Sequence, residues 1–166
     1  MTYQYKREPL TDEEADRFIN ASLTFSEKLV AYTLFDTGVR LSEFVNIKPE
    51  NVEWQHNSVI VFGKGGPFGK KTKRRVVPLS ERVKKLLEVQ FSTNQGMGIT
   101  ARTIQRIVGK IANRAKIGKK VHPHILRHTF AVRAVRRGIS LKALQLILGH
   151  DRLVTTNIYL NMSPEM

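Results

Sequence analysis

The sequence contains no cysteine, few acidic residues and no long apolar run, and each shortage argues against a class of protein. Without cysteine there can be neither a disulfide framework nor a thiolate metal site. The longest apolar runs are far too short to cross a bilayer, and the opening stretch MTYQYKREPL lacks the apolar segment of a secretory signal. These absences fit a reducing compartment, and we expect the protein in the cytoplasm.

The shortage of acidic residues leaves a large excess of positive charge. Lysine and arginine together number 28 against 14 aspartates and glutamates, which gives a formal net charge of +14. A domain this basic attracts polyanions from a distance and releases counterions when it binds them. We therefore expect a nucleic acid as partner. The alternatives are that the positive charge serves solubility alone or that it binds an anionic membrane surface. The membrane alternative is weaker, because the sequence shows no basic amphipathic helix with an aromatic-rich apolar face.

The chain of 166 residues, 41% of them hydrophobic, is long enough for one domain with its own core. Capping boxes predict a first helix from near Asp12 and a second one after Thr24 that ends at Gly38. A short helical segment, Leu41 to Val45, follows. Cap residues and apolar spacing of three and four predict further helices after Ser80, after Thr100, around His124 and after Ser140.

A β-rich region separates the early helices from the later ones. Val52–Trp54, Ser58–Phe62 and Arg75–Leu79 predict three strands of a small antiparallel sheet, and Pro78 favours the sheet edge for the last strand. The glycine-rich segment Gly63–Lys73 carries four lysines and is predicted to be a long basic loop. The predicted fold class is therefore α+β, mainly α, with one small three-stranded antiparallel sheet.

Candidate chemistry is concentrated in residues 121–160. His124, Arg127 and His128 are three and four apart, so one helix can present all three from the same side. Arginine binds phosphate oxygens with its planar fork, histidine transfers protons, and the phenol of Tyr159 can act as a nucleophile. This combination of groups is what a phosphodiester site requires.

Two of these residues, His124 and Tyr159, also have a simpler interpretation. A single histidine such as His124 is more often a structural residue, and Tyr159 could be the aromatic anchor of the last helix. A zinc site at His124 and His128 is disfavoured, because no glutamate follows His124 as in the HExxH motif and Arg127 would place a cation beside the metal. We therefore expect no metal.

Two other cationic positions are candidates. Arg40 follows the helix stop at Gly38 among apolar neighbours, so we expect it to be partly buried and either paired or placed for a ligand. Glu43 could hold it, and a purely structural pair is an equal interpretation. Lys64, at the end of a predicted strand, is the best anchored lysine of the basic loop. It could act as a general acid, or the loop could contact phosphates without specificity.

Five short motifs, in order along the chain, resemble the successive boxes of the tyrosine recombinase family, most closely its Xer and phage-integrase branch. They are Thr37-Gly-Val-Arg-Leu-Ser-Glu43, Gly63-Lys-Gly with Arg75-Val-Val-Pro-Leu79, His124-Ile-Leu-Arg-His-Thr-Phe-Ala131, Leu148-Gly-His150 and Thr155-Thr-Asn-Ile-Tyr159. The resemblance runs from about Leu10 to Leu160. It implies the helical catalytic domain of that family and a site-specific recombinase or integrase of double-stranded DNA. It also implies a reaction without metal, nucleotide or other cofactor.

The resemblance further implies roles for the candidate residues. Tyr159 would attack the scissile phosphate, form a 3′-phosphotyrosyl link and free a 5′-hydroxyl. Arg40 and Arg127 would bind the nonbridging oxygens and stabilise the charge of the transition state. Lys64 would protonate the leaving 5′-oxygen.

The same resemblance implies roles for His124 and His150 and an organisation for the chain. His124 would assist proton transfer at the tyrosine, and His150 would donate a hydrogen bond to the phosphate. We expect residues 1–166 to be a single catalytic domain without the family's N-terminal core-binding domain, monomeric in solution, tetrameric on DNA and nucleoid-associated when bound. A DNA-relaxing enzyme like the type IB topoisomerases and a basic DNA-binding module that has lost catalysis are the alternative functions.

Overall fold

The computed structural model describes residues 8–65 and 71–149, with side chains in 8–63 and 74–149. Within these ranges seven α-helices accompany one three-stranded antiparallel sheet, as the fold class predicted from the sequence requires. The helices are α1 (Asp12–Asn20), α2 (Phe25–Thr37), α3 (Leu41–Phe44), α4 (Glu81–Thr93), α5 (Ala101–Arg114), α6 (Pro123–Arg136) and α7 (Leu141–Leu148). The strands are β1 (Val52–Glu53), β2 (Ser58–Gly65) and β3 (Lys71–Pro78).

The first two helices begin at the two predicted capping boxes. The hydroxyl of Thr11 accepts a hydrogen bond from the backbone N–H of Glu14, and the Glu14 carboxylate accepts one from the backbone N–H of Thr11. Thr24 and Glu27 repeat the arrangement at the start of α2. Helix α2 ends at Gly38, whose φ of 69° is the left-handed conformation that favours glycine. The predicted boundaries of these helices are confirmed.

The sheet has the order β1-β2-β3, so β3 lies at an edge as predicted. The prediction of one long loop over Gly63–Lys73 is wrong at both ends, because the β2–β3 ladder continues until Gly65 pairs with Lys71. Residues 66–70 lie outside the described part of the chain. Trp54 is not in β1 as predicted but begins a 3₁₀ turn, Trp54–His56, which precedes β2.

Apolar side chains form two buried clusters. The larger one involves the helices up to α6 together with the inner face of the sheet, and helix α2 packs against α4, α5 and α6 within it. The smaller one joins α6 to α7 and is built from Ala131, Val132, Leu144 and Leu148. Helix α7 also contacts β3. The end of α7 is thereby held close to the sheet and to α6.

None of the described helices is long and apolar enough to cross a membrane.

Candidate active site

Arg40 lies at the start of α3, immediately outside its first turn. Its backbone N–H donates a hydrogen bond of 2.7 Å to Glu43 Oε1, and its Nη1 lies 3.4 Å from Glu43 Oε2. The Arg40 side chain is 43% exposed, whereas that of Glu43 is 1% exposed. Arg40 is therefore held by Glu43, one of the two interpretations predicted from the sequence, but it is exposed to solvent, and the prediction of partial burial is wrong.

A second arginine, Arg75 of β3, binds the same carboxylate. Its Nη2 donates to Glu43 Oε1 at 2.9 Å and its Nη1 donates to Oε2, so the two groups form a two-pronged pair. Its Nε donates to the carbonyl of Ile147 at 2.7 Å. Burial acts to raise the pKa of Glu43, but hydrogen bonds from Arg75 and from the Arg40 backbone hold that pKa below its usual value.

Arg75 is not among the site residues predicted from the sequence, although its position in β3 carries one signal. In a strand, alternate residues face the same side of the sheet, and Val77 and Leu79 on the face of Arg75 are buried, whereas Arg74 and Val76 are exposed. An arginine on the buried face of a strand needs a partner, because an unpaired buried charge is costly. Alternation along β3 could therefore have identified it.

Arg127 of α6 is almost fully buried, with 3% of its surface exposed. Its Nη1 donates to the carbonyl of Gly38 at 2.5 Å and its Nη2 donates to the carbonyl of Leu148 at 2.7 Å. These carbonyls stand at the C-terminal ends of α2 and α7, where the helix dipoles favour a positive charge. Arg127 therefore binds two helix ends from opposite halves of the chain and is held rigidly.

The three histidines near the start of α6 lie close together. His124 and His128 place their Nε2 atoms 3.0 Å apart, so one ring donates to the other, with the direction set by the tautomers. His128 is buried and His124 is exposed, so the pair extends from the interior to the surface. The rings of His122 and His124 are nearly parallel, with centroids 6.3 Å apart.

Arg40, His124 and Arg127 line one cleft of about 490 Å³ between the start of α3 and the N-terminal ends of α5 and α6. The remaining lining residues are Val39, Leu41, Ser42, Ala101, Gln105, His122 and Pro123. Two guanidinium groups from opposite halves of the chain thus share one pocket with an imidazole. A tetrahedral anion is the ligand that such a set of donors favours.

The backbone of Lys64 belongs to the described part of the chain, at the end of β2. Its backbone pairs with Thr72 in the sheet, and its side chain lies outside the described residues. A Cβ added at the preceding Gly63 would lie 2.8 Å from Glu43 Oε2 and 3.7 Å from Arg40 Nη1. The backbone beside Lys64 therefore lies against the Arg40–Glu43 pair.

His150 and Tyr159 both lie outside the described residues, so their predicted roles stay predictions. The residue before His150 is described. Gly149 ends α7 with a φ of 74°, and a Cβ added there would lie 2.9 Å from Arg75 Cδ. Across the described ranges, no group of three or more histidine, aspartate or glutamate side chains could hold a metal ion.

Comparison with known proteins gives consistent matches. The profile of the phage integrase family matches residues 8–166. The chain is 32% identical over 153 residues to tyrosine recombinase XerC of Staphylococcus aureus (strain bovine RF122 / ET3-1), which covers 87% of this chain and 51% of that protein. It is 30% identical over 158 residues to tyrosine recombinase XerC of Listeria innocua serovar 6a, covering 88% and 53%. The chain spans about half the length of these relatives.

Solved structures show the same fold. The crystal structure of XerA recombinase superposes with a TM-score of 0.79 at 32% identity and covers 91% of this chain and 57% of that chain. XerH site-specific recombinase, bound to palindromic difH substrate in a post-cleavage complex, gives a TM-score of 0.77 over 95% of this chain and 50% of that chain. Its 21% identity makes this second likeness one of fold alone.

Proposed function

The chain belongs to the phage integrase family, and from this membership we propose that it is the catalytic part of a site-specific DNA recombinase or integrase. The observation that carries the proposal is the cleft lined by Arg40, His124 and Arg127. The relatives named as tyrosine recombinases and the XerA recombinase structure, at 32% identity, support the same activity. Double-stranded DNA is the proposed substrate, in keeping with the net charge of +14.

In this proposal the cleft binds the scissile phosphate. Arg127, fixed by the carbonyls of Gly38 and Leu148, and Arg40, held by Glu43, donate to the nonbridging oxygens. Negative charge builds on these oxygens as the phosphorus becomes five-coordinate, so donors that are already in place stabilise the transition state most. One such donor is typically worth about 10²–10³ in rate.

The chemical step needs a nucleophile and a proton for the leaving group. Tyr159 forms the new oxygen–phosphorus bond while the bond to the 5′-oxygen breaks, which leaves a 3′-phosphotyrosyl link. Lys64 gives a proton to the departing 5′-oxygen, His124 assists removal of the phenol proton, and His150 donates to the phosphate. One phosphate ester bond replaces another, so the free energy of the bond is conserved in the phosphotyrosyl link. A 5′-hydroxyl of another strand can therefore attack this link, release the tyrosine and complete the exchange.

The proposal extends to organisation and location. We place one catalytic domain in this chain, monomeric in solution and tetrameric on DNA, acting in the cytoplasm on nucleoid DNA. Exchange between two duplexes requires four strand cleavages, and four copies would supply one tyrosine for each. The steps described use only side chains of the protein and require no added cofactor.

A trapping experiment tests the proposal. The chain is incubated with a pool of short duplexes of randomised sequence, each nicked so that the 5′-hydroxyl fragment diffuses away after cleavage. Covalent protein–DNA adducts are recovered from denaturing gels, and their DNA is sequenced to define the preferred target. Absence of any adduct from the wild-type chain would refute the proposed activity.

Tyr159→Phe identifies the nucleophile in the same assay. It is expected to bind the selected duplex and form no adduct, since only the phenol oxygen is removed. Tyr32→Phe is the matched control, because Tyr32 lies on α2 under the guanidinium of Arg82 and not in the cleft. An adduct that persists in Tyr159→Phe would assign the attack to another residue.

A further inference from the structure

Glu43 and Arg75 form a buried ion pair next to the cleft but do not line it. The side chain of Glu43 is 1% exposed and that of Arg75 is 10% exposed. Both carboxylate oxygens are engaged, Oε1 by the Arg40 backbone and Arg75 Nη2, and Oε2 by Arg75 Nη1 and Arg40 Nη1. The orientation of Arg40 thus depends on a carboxylate that Arg75 holds in place.

The pair joins parts of the chain that are distant in sequence. Arg75 is 32 residues from Glu43 and 72 residues from Ile147, whose carbonyl accepts its Nε–H at 2.7 Å. One guanidinium therefore connects α3, β3 and the last turn of α7. A planar guanidinium, whose Nε–H lies in the same plane as its two Nη groups but points to one side, can make these contacts together. A lysine ammonium on a flexible stem cannot reproduce them.

Two glycines pack tightly against the pair. An ideal Cβ at Gly63 would lie 2.8 Å from Glu43 Oε2, and one at Gly149 would lie 2.9 Å from Arg75 Cδ, both closer than real Cβ contacts. Gly63 immediately precedes Lys64, and Gly149 immediately precedes His150. The pair therefore abuts the backbone next to two further residues of the proposed mechanism.

We infer that Arg75 is a positioning residue for DNA strand cleavage. Through Glu43 it orients Arg40 and supports the carboxylate that lies beside Gly63, the residue before Lys64. Through the Ile147 carbonyl and its close approach to Gly149 it fixes the backbone that leads to position 150. The inference rests on the proposed function. A displacement of about 1 Å in a catalytic group can lower the rate about 10²-fold. Loss of the Arg75 contacts is therefore expected to slow the reaction even in a variant that remains folded.

The test compares Arg75→Lys with Arg74→Lys. The two arginines are neighbours and the substitution is the same, but Arg74 is exposed and is on the opposite face of β3. The probe is the nicked duplex that the wild-type chain selects as its target. The single-turnover rate of adduct formation is measured at saturating duplex, and the Kd of the same duplex is measured separately, under conditions in which circular dichroism shows all variants folded.

Arg75→Lys is expected to lower the rate at saturation at least about tenfold, while its Kd matches that of Arg74→Lys. Glu43→Gln is expected to lower the rate similarly, and the double variant should be little worse than either single one, because both act through one pair. A purely structural role would lower the midpoint of thermal unfolding without changing the rate of the folded protein.

The inference is overturned if folded Arg75→Lys forms the adduct at the wild-type rate, or if Arg74→Lys is equally slow. Failure of the proposed function looks different, since the wild-type chain would then form no adduct with any duplex of the pool.

Discussion

Replacement of Glu27 by glutamine is expected to destabilise the fold by about 1.5–3 kcal/mol at neutral pH. The Glu27 side chain is 5% exposed and accepts hydrogen bonds from the backbone N–H groups of Leu23 and Thr24 and from two nitrogens of Arg114. Glutamine keeps one acceptor but places an NH₂ group against the guanidinium. A hydrogen bond to a charged group is worth about 1.5–3 kcal/mol. The larger cost of breaking a fully buried ion pair does not apply, because 31% of the Arg114 side chain reaches solvent.

The pH dependence of this loss has a definite sign. Hydrogen bonds from Arg114, aided by those from the backbone of Leu23 and Thr24, lower the pKa of Glu27 from 4.5 to about 2 in spite of its burial. A group whose pKa is lower in the folded state stabilises the fold fully above its unfolded pKa and loses that effect as it is protonated. The difference between wild type and Glu27→Gln should therefore be full above pH 4.5 and should diminish toward pH 2.

Urea unfolding followed by circular dichroism at a series of pH values measures this difference. Glu13→Gln is the control, because Glu13 also begins a helix, is 82% exposed and lies 3.9 Å from Arg17. The control is expected to change the free energy of unfolding by less than about 0.5 kcal/mol. If Glu27→Gln is no more destabilising than Glu13→Gln, or if its effect is constant down to pH 2, the assignment of a buried ion pair is wrong.

Three further predictions concern the site and its ligand. Gly38→Ala should lower the free energy of unfolding by more than about 1–2 kcal/mol, because φ is 69° and the new Cβ would overlap the Phe130 ring. Gly109→Ala, in open space on α5, should instead raise it by about 0.5–1 kcal/mol in the same thermal or urea measurement. Arg127→Lys should slow adduct formation on the order of 10²-fold or more, and an unchanged rate would remove Arg127 from the site. DNA affinity should fall steeply with salt in a titration by fluorescence anisotropy, and salt-independent binding would contradict a phosphate-dominated interface.

Features of this fold that depend on neighbouring residues could be predicted from the sequence. The capping boxes at Thr11 and Thr24 act within three residues, and the left-handed end of α2 requires only the glycine at position 38. Burial of α5 follows from apolar residues at helical spacing, of which Ile104 and Ile111 are fully buried. Such signals depend only on residues close together in the sequence, so they can be interpreted without knowledge of the tertiary structure.

Features that depend on distant residues could not be predicted in this way. The spacing in α6 places His124, Arg127 and His128 near one another, but packing against the core decides that His128 and Arg127 are buried while His124 is exposed. The acceptors of Arg127 are 89 and 21 residues away, and no pattern in the sequence specifies them. The common cleft with Arg40 was expected only from the order of family motifs.

The end of β2 and the start of β3 were predicted wrongly because they too depend on pairing between residues that are distant in the sequence. Glycines at positions 63 and 65 suggested a loop, since glycine weakens a strand. The antiparallel register nevertheless continues through them as far as Lys71, because each further pair adds backbone hydrogen bonds. At Gly63 the absence of a side chain is also what admits the carboxylate of Glu43.

The last turn of α7 differs from most helix ends, whose final carbonyls face water and whose backbone opens readily. Here the carbonyls of Ile147 and Leu148 are bound by Arg75 and Arg127, two buried cations from elements earlier in the chain. Opening this turn would break both charge-assisted hydrogen bonds, at about 1.5–3 kcal/mol each. Both hydrogen bonds therefore oppose fraying of the helix from this end, and they tie the backbone before Gly149 to β3 and α6.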